Sequence, residues 1–215
     1  ADPAREAFRA PTAGGGWESW SWGRSGERVT ELAAGLLALG VQPEDRVAIA
    51  SNTRIEWIFF DLATMAAGGA TTTVYPSTNS DDVGFILSDS GSRFVIAEDS
   101  KQLAKLVDQR GAIPSVEKVV LIDTNGVDLS SRGDDWVITS DDLAGRGREL
   151  LDSDPDAVTR ATAAVRPDNL ATLIYTSGTT GRPKGVELTQ SNWTYEAASI
   201  EGLGLLRPDQ LQFLW

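Results

Sequence analysis

Short apolar runs alternate along this chain with segments whose apolar residues recur every three or four positions. Strand-type runs stand at 45–50, 71–75, 93–97, 118–122 and 170–174. Helical spacing lies between them: Val29, Leu32, Ala33, Leu36 and Leu37; then a segment up to about Ala67; then Val83, Ile86 and Leu87; then Leu103, Leu106 and Val107. Gly40 and the pair Gly68-Gly69 supply stops, 76–80 reads as a turn, and Thr53 with Glu56 has capping-box spacing. The strand runs are apolar on successive residues, so they call for cover on both faces. With short connections, that pattern implies βαβ crossovers. The expected fold class is α/β: a mostly parallel sheet flanked by helices on both faces.

The flanks are less regular. Residues 1–16 show little periodicity and end in three glycines, so a mobile N-terminal segment is expected there. Residues 17–22 alternate weakly, which suggests a strand with Trp20 and Trp22 on one face. A first α/β unit is expected over 17–165, with an acidic surface excursion at 123–156 that contains a short strand at 136–138 and a helix at about 141–151. A further helix is expected within 154–164. A second unit, 166–215, opens at Pro167 and carries a second short strand at 186–188, a helix at 191–203 and an apolar strand at 211–215.

Composition removes several kinds of chemistry. The chain has no cysteine and no histidine. It therefore has no disulfide, no Ser-His or Cys-His catalytic pair, and no histidine or cysteine metal ligand. Oxygen ligands, lysine, arginine and backbone dipoles remain, which suit phosphate chemistry with Mg²⁺. A net charge of −12 argues against nucleic acid as a partner. No apolar run is long enough for a membrane span; the richest, 57–70, is interrupted by Asp61. With no basic-then-apolar leader, a cytoplasmic protein is expected. Residues 123–156 hold ten acidic residues against three arginines, whereas 171–192 has Arg182 and Lys184 against Glu187. An anion would find its local cations in that second stretch.

That stretch holds Tyr175-Thr-Ser-Gly-Thr-Thr-Gly-Arg-Pro-Lys184-Gly185, set between the runs at 170–174 and 186–188. Glycines let backbone N–H groups approach a ligand closely. The hydroxyls of Thr176, Ser177, Thr179 and Thr180 can donate to phosphate oxygens, and Lys184 adds a mobile charge. A Walker A loop needs four residues between its glycines and then Gly-Lys-Ser/Thr; here Gly178 and Gly181 are three positions apart. A plain flexible hairpin has no use for so many consecutive donors, so the composition points to a polyphosphate. Two other short motifs, Ser115-Val-Glu-Lys118 and Gly202-Leu-Gly-Leu-Leu-Arg207, lack their partner elements and are read as chance.

The same eleven residues resemble the phosphate-binding signature of the adenylate-forming superfamily. Further landmarks are similar to long-chain fatty acyl-CoA synthetases: Leu36-Leu-Ala-Leu-Gly-Val41, Asp45-Arg-Val-Ala-Ile49, Asn52-Thr-Arg-Ile-Glu-Trp57, Val74-Tyr-Pro-Ser77, Ile86-Leu-Ser-Asp-Ser-Gly91 and Gly185-Val-Glu-Leu-Thr189. The resemblance implies a two-step ligase that makes acyl-AMP from a carboxylic acid and ATP with Mg²⁺, then passes the acyl group to coenzyme A. It implies that Thr176, Ser177, Gly178, Thr179, Thr180 and Gly181 cradle the β- and γ-phosphates. Lys184 would stabilise the leaving pyrophosphate, Thr180 would contact Mg²⁺, and Arg182 would either assist or face solvent. Gln190 stands where members commonly carry histidine, and Thr73 where proline is frequent.

The family's later adenine and ribose motifs and its C-terminal catalytic lysine would follow Trp215, so the chain resembles the first part of the large N-terminal domain. Residues 1–215 alone are then expected to be inactive, with self-association through an open edge near Leu211 to Trp215. The rival readings are a non-catalytic nucleotide-binding fragment and an adenylate-forming enzyme with another acceptor. A hydrolytic NTPase is disfavoured, since the chain shows neither a Walker A loop nor a histidine base.

Overall fold

The computed structural model describes residues 2–12, 14–129, 135–176 and 181–204. In chain order the first elements are β1 (Glu6–Pro11), β2 (Trp17–Ser21), α1 (Trp22–Ala38), β3 (Arg46–Ala50), α2 (Ile55–Ala66) and β4 (Ala70–Val74). They are followed by α3 (Ser80–Ser90), β5 (Phe94–Ala97), α4 (Ser100–Asp108), β6 (Lys118–Leu121) and β7 (Val137–Thr139). The last are α5 (Ser140–Ser153), α6 (Ala157–Ala164), β8 (Leu170–Thr176), β9 (Lys184–Thr189) and α7 (Gln190–Gly202).

Seven strands form one sheet in the order β7-β6-β5-β3-β4-β8-β9. Every pairing is parallel except β8 with β9, which is antiparallel. This is the mostly parallel α/β sheet that the alternating runs imply.

Each central strand divides its side chains between two cores, as the two-residue repeat of a strand requires. Val47 and Ile49 of β3 and Phe94 and Ile96 of β5 pack with Leu32 and Leu36 of α1, Phe59 and Phe60 of α2 and Leu143 of α5. On the opposite face Ala48, Ala50, Val95 and Ala97 meet Val83, Ile86 and Leu87 of α3 and Leu103 and Leu106 of α4. Phe59, Phe60, Phe94, Leu32 and Leu36 are almost wholly inaccessible. Such burial stabilises by about 1.5–3 kcal/mol per side chain.

Four sequence expectations are corrected. Within residues 1–16, β1 is a regular strand that pairs with β2 in a separate two-stranded antiparallel sheet. Its anchor is aromatic: Phe8 lies 6.0 Å from Phe59, centroid to centroid, and Trp20 lies 5.0 Å from the same ring. Trp22 does not share a strand face with Trp20; it opens α1, where the Ser21 side chain accepts from the Arg24 backbone N–H and caps the helix.

The Thr53–Glu56 capping box does not form. Arg54 is the N-cap of α2, with no side-chain cap, and its guanidinium binds Glu56 at 2.6 Å instead. The 123–156 stretch is not a surface excursion throughout: β7 joins the sheet beside β6, and α5 buries Leu143 and Ala144. Most of its described acids are exposed, and they hide that inner face from a reading by charge. The strand expected at 211–215 lies outside the described residues.

α1 and α5 cross at glycines. A Cβ on Gly147 would run into the Glu31 carbonyl oxygen, and one on Gly35 into the backbone and side chain of Leu143. The crossing brings the two backbones into direct contact.

Candidate functional site

In a parallel sheet, ligands bind beyond the carboxyl ends of neighbouring strands whose connections depart in opposite directions. This sheet has two such places. The first lies between β3 and β5: the chain leaves β3 for β4 and leaves β5 for β6. It is occupied by the protein's own charges. Glu98 accepts from the Asn52 backbone N–H at 2.8 Å and from its amide Nδ2 at 2.7 Å, and it pairs with Arg54 at 3.5 Å. Burial works against the charge on Glu56, yet the hydrogen bond from Arg54 holds its carboxyl below the usual glutamate range. An anion arriving here would meet Glu98 and Glu56, with Arg54 already engaged.

The second place lies between β4 and β8, whose connections diverge to β5 and to β9. One wall is the turn that follows β4. Lys105 of α4 donates its ammonium to the carbonyls of Pro76 at 2.7 Å and Thr78 at 2.8 Å, and Gln102 donates to Pro76 as well. The other side carries the two described limbs of the glycine- and hydroxyl-rich stretch that joins β8 to β9. Of its expected phosphate contacts, Ser177, Gly178, Thr179 and Thr180 lie outside the described residues.

The stretch's two limbs are described. Thr176 ends β8 directly opposite Lys184, the first residue of β9. Both are exposed, so an accessible threonine and an accessible lysine are register partners at the strand ends. Gly181 has φ +121°, a conformation in which a Cβ would be strained.

Behind these residues the limbs rest on α3. The Tyr175 hydroxyl donates to Asp89 Oδ2 at 2.7 Å, and its ring meets Phe85 edge-on at 6.5 Å. Burial, then the Asp89 carboxylate, pushes the Tyr175 phenol well above its ordinary range, so it remains a neutral donor. Gly185 faces Tyr175 across the hairpin, and a Cβ there would lie 3.1 Å from the ring. The Arg182 guanidinium carbon sits 4.9 Å from the Phe85 ring centroid, so this arginine has a protein partner and does not simply face solvent. Sequence reasoning missed Phe85 and Asp89. The only available signal was their spacing of four on a helix whose buried residues are their neighbours.

Among the described residues, no group of three or more aspartates or glutamates is placed to hold a metal ion. No described helix is long and apolar enough to cross a membrane.

The AMP-binding enzyme family matches residues 1–214, and the chain belongs to that family. It is 35% identical over 198 residues to the long-chain-fatty-acid–CoA ligase FadD15 of Mycobacterium bovis, a match that covers 92% of this chain and 30% of that protein. It is 29% identical over 196 residues to the long-chain-fatty-acid–CoA ligase ACSBG1 of Rattus norvegicus, covering 91% of this chain and 26% of that one. The chain thus spans under a third of the length of these relatives. Among solved structures, the anthranilate CoA ligase AuaEII in complex with anthranoyl-AMP superposes with a TM-score of 0.73 at 20% identity. That match covers 92% of this chain and 34% of AuaEII, and it supports the fold.

Proposed function

We propose that the protein carrying this chain is an ATP-dependent acyl-CoA ligase for long-chain fatty acids, and that the stretch between β8 and β9 binds the nucleotide's phosphates. One observation carries the reading. The signature-bearing stretch joins two antiparallel strands at a carboxyl-end crevice, with Lys184 and Thr176 paired across its base. The likeness to ligases for long-chain fatty acids supports the proposed substrate class.

In the first step a carboxylate oxygen attacks the α-phosphorus of ATP. The bond from that phosphorus to the bridging oxygen breaks, and pyrophosphate leaves with the electron pair. In the second step the coenzyme A thiol attacks the acyl carbonyl, loses its proton, and AMP departs. The protein's contribution to the first step is positioning and charge neutralisation. Thr176, Ser177, Gly178, Thr179, Thr180 and Gly181 would hold the β- and γ-phosphates through hydroxyls and backbone N–H groups. The Lys184 ammonium would meet the charge that grows on the leaving pyrophosphate. Mg²⁺ would arrive as part of the MgATP substrate, with the Thr180 hydroxyl as its contact on this chain.

The test is acid-dependent exchange of pyrophosphate into ATP by the full-length protein across a panel of fatty acids, followed by thioester formation on addition of coenzyme A. Exchange that requires a long-chain acid supports the reading. ATP binding without exchange for any acid would replace it with that of a non-catalytic nucleotide-binding protein.

A further inference from the structure

The phosphate-binding stretch has an unusual foundation. β9 and α7, which follow it, are largely exposed, and none of the described side chains of α7 is buried. Gly181 and Gly185 offer no side chain with which the described limb could anchor itself. Yet Lys184 must be held where charge develops, because misplacement by even an ångström is costly in a reaction that runs on positioning. Besides the β8–β9 backbone ladder, side-chain contacts to both limbs come from one helix outside the signature. Phe85 and Asp89 lie four residues apart on α3, which places them one above the other on the same face. Asp89 takes the limb that enters the stretch, through the Tyr175 hydroxyl, and Phe85 takes the limb that leaves it, beneath the Arg182 guanidinium.

We propose that Phe85 and Asp89 are positioning residues for the phosphate-binding stretch, acting through Arg182 and Tyr175 to hold Lys184 in place. The path to Lys184 is short. Tyr175 lies over Gly185, where a Cβ would already be too close to the ring, and Gly185 is bonded to Lys184. A tilt of the ring therefore moves the backbone one residue from the ammonium. Tyr175 stays a neutral donor because burial and the adjacent carboxylate oppose its ionisation, so the latch holds across the ordinary pH range. Arg182 has a role apart from the phosphates: its charge rests on an aromatic face on the α3 side of the hairpin.

This inference rests on the ligase reading above, and the experiment separates the two. Pyrophosphate exchange is measured on the full-length protein for wild type, Tyr175→Phe, Asp89→Leu, Asp89→Asn, Phe85→Leu, Arg182→Gln and the two double variants Tyr175→Phe/Asp89→Leu and Phe85→Leu/Arg182→Gln. Tyr175→Phe and Asp89→Leu should each lower kcat/KM for MgATP in exchange roughly three- to tenfold, the scale of one hydrogen bond, with KM for the fatty acid unchanged. Their double variant should be no worse than either single one. Asp89→Asn keeps an acceptor oxygen and should stay near wild type. Arg182→Gln should lower kcat/KM for MgATP about two- to fivefold in the wild-type background and have no further effect once Phe85 is leucine.

An equal Arg182→Gln penalty in both backgrounds would overturn the proposal, since Arg182 would then act on the phosphates directly. Variants that lower thermal stability but leave kcat/KM for MgATP untouched would overturn it too, by showing contacts that serve the fold alone. An inactive wild type would remove the ligase reading and this inference with it. An active wild type with unaltered variants would remove only the inference.

Discussion

The middle of the sheet and its β8–β9 margin are built on different physics. In β3 and β5 nearly every residue is buried, and each strand shares its side chains between two cores. Stability there is spread over many apolar contacts, so no single polar contact decides the shape. At the margin, β9 is mostly exposed and α7 buries none of its described side chains. Apart from the β4–β8–β9 backbone ladder and the burial of Leu173 and Tyr175, the region is tied down by a short set of specific contacts: Tyr175 to Asp89, Arg182 over Phe85, and the Trp193 indole N–H donating to Thr172 Oγ1 at 3.1 Å. The contrast teaches where function can be housed. Segments that must meet a ligand are drawn from the sparsely packed end of a fold, and a rigid neighbour gives them their precision.

The sharpest way to break this contrast is at Lys184. In the full-length protein, Lys184→Ala should slow adenylation by roughly 10²-fold, the scale of a lost electrostatic contact to developing charge. The loss should appear in the rate of pyrophosphate exchange, with KM for the fatty acid unchanged. Because Lys184 is exposed, thermal stability should hardly move. Exchange within about twofold of wild type would remove Lys184 from the phosphate site. A large loss of stability would show that the margin is held by distributed packing after all.

Gly147 tests the other side. A Cβ there collides with the Glu31 carbonyl oxygen in the α1–α5 crossing, where backbone and not a flexible side chain would have to give. Gly147→Ala should destabilise by about 1–3 kcal/mol, as overpacking of a close-packed interior does. The readout is a denaturation midpoint that falls with the slope unchanged. KM for MgATP should stay at its wild-type value, since α5 lies on the sheet face opposite α3.

The same division decides what the sequence could reveal. β3, β4, β5 and β6 lie within a residue of their apolar runs at each end, because a strand buried on both faces is marked by its own composition. The stretch at 175–185 was legible as chemistry, since donors, glycines and cations cluster without interruption. Its supports were not. Nothing local marks Asp89 as the acceptor for a tyrosine 86 residues later, or Phe85 as the seat of Arg182. The Gly35–Gly147 crossing is a tertiary fact of the same kind. β1 escaped notice because its partner strand and its contact with Phe59, not its own pattern, make it a strand. The capping box at 53–56 failed because Glu56 had a stronger partner in Arg54.

The smallest expected effect sits in the well-packed region itself, at Asp61. This residue lies on α2 between buried Phe60 and buried Ala63, so part of its carboxylate is taken out of water. Burial raises its pKa above the ordinary 3.8, and the nearby Thr71 hydroxyl, which forms no hydrogen bond, opposes that only in part. The sign follows from linkage. A group whose pKa is raised in the folded state binds its proton more tightly there than in the unfolded chain. Its contribution to stability is therefore fully present below 3.8 and is lost as pH rises through the elevated folded value. At neutral pH the ionised Asp61 is a cost, which Asp61→Asn removes while keeping the side chain's size. The melting temperature should rise at pH 7, and the difference from wild type should shrink steadily as the pH is lowered towards 3.8. A gain independent of pH would assign the effect to altered packing. A loss at pH 7 would mean that the Asp61 carboxylate is held by a partner worth more than its burial costs, and that the middle of the molecule depends on a specific polar contact as the margin does.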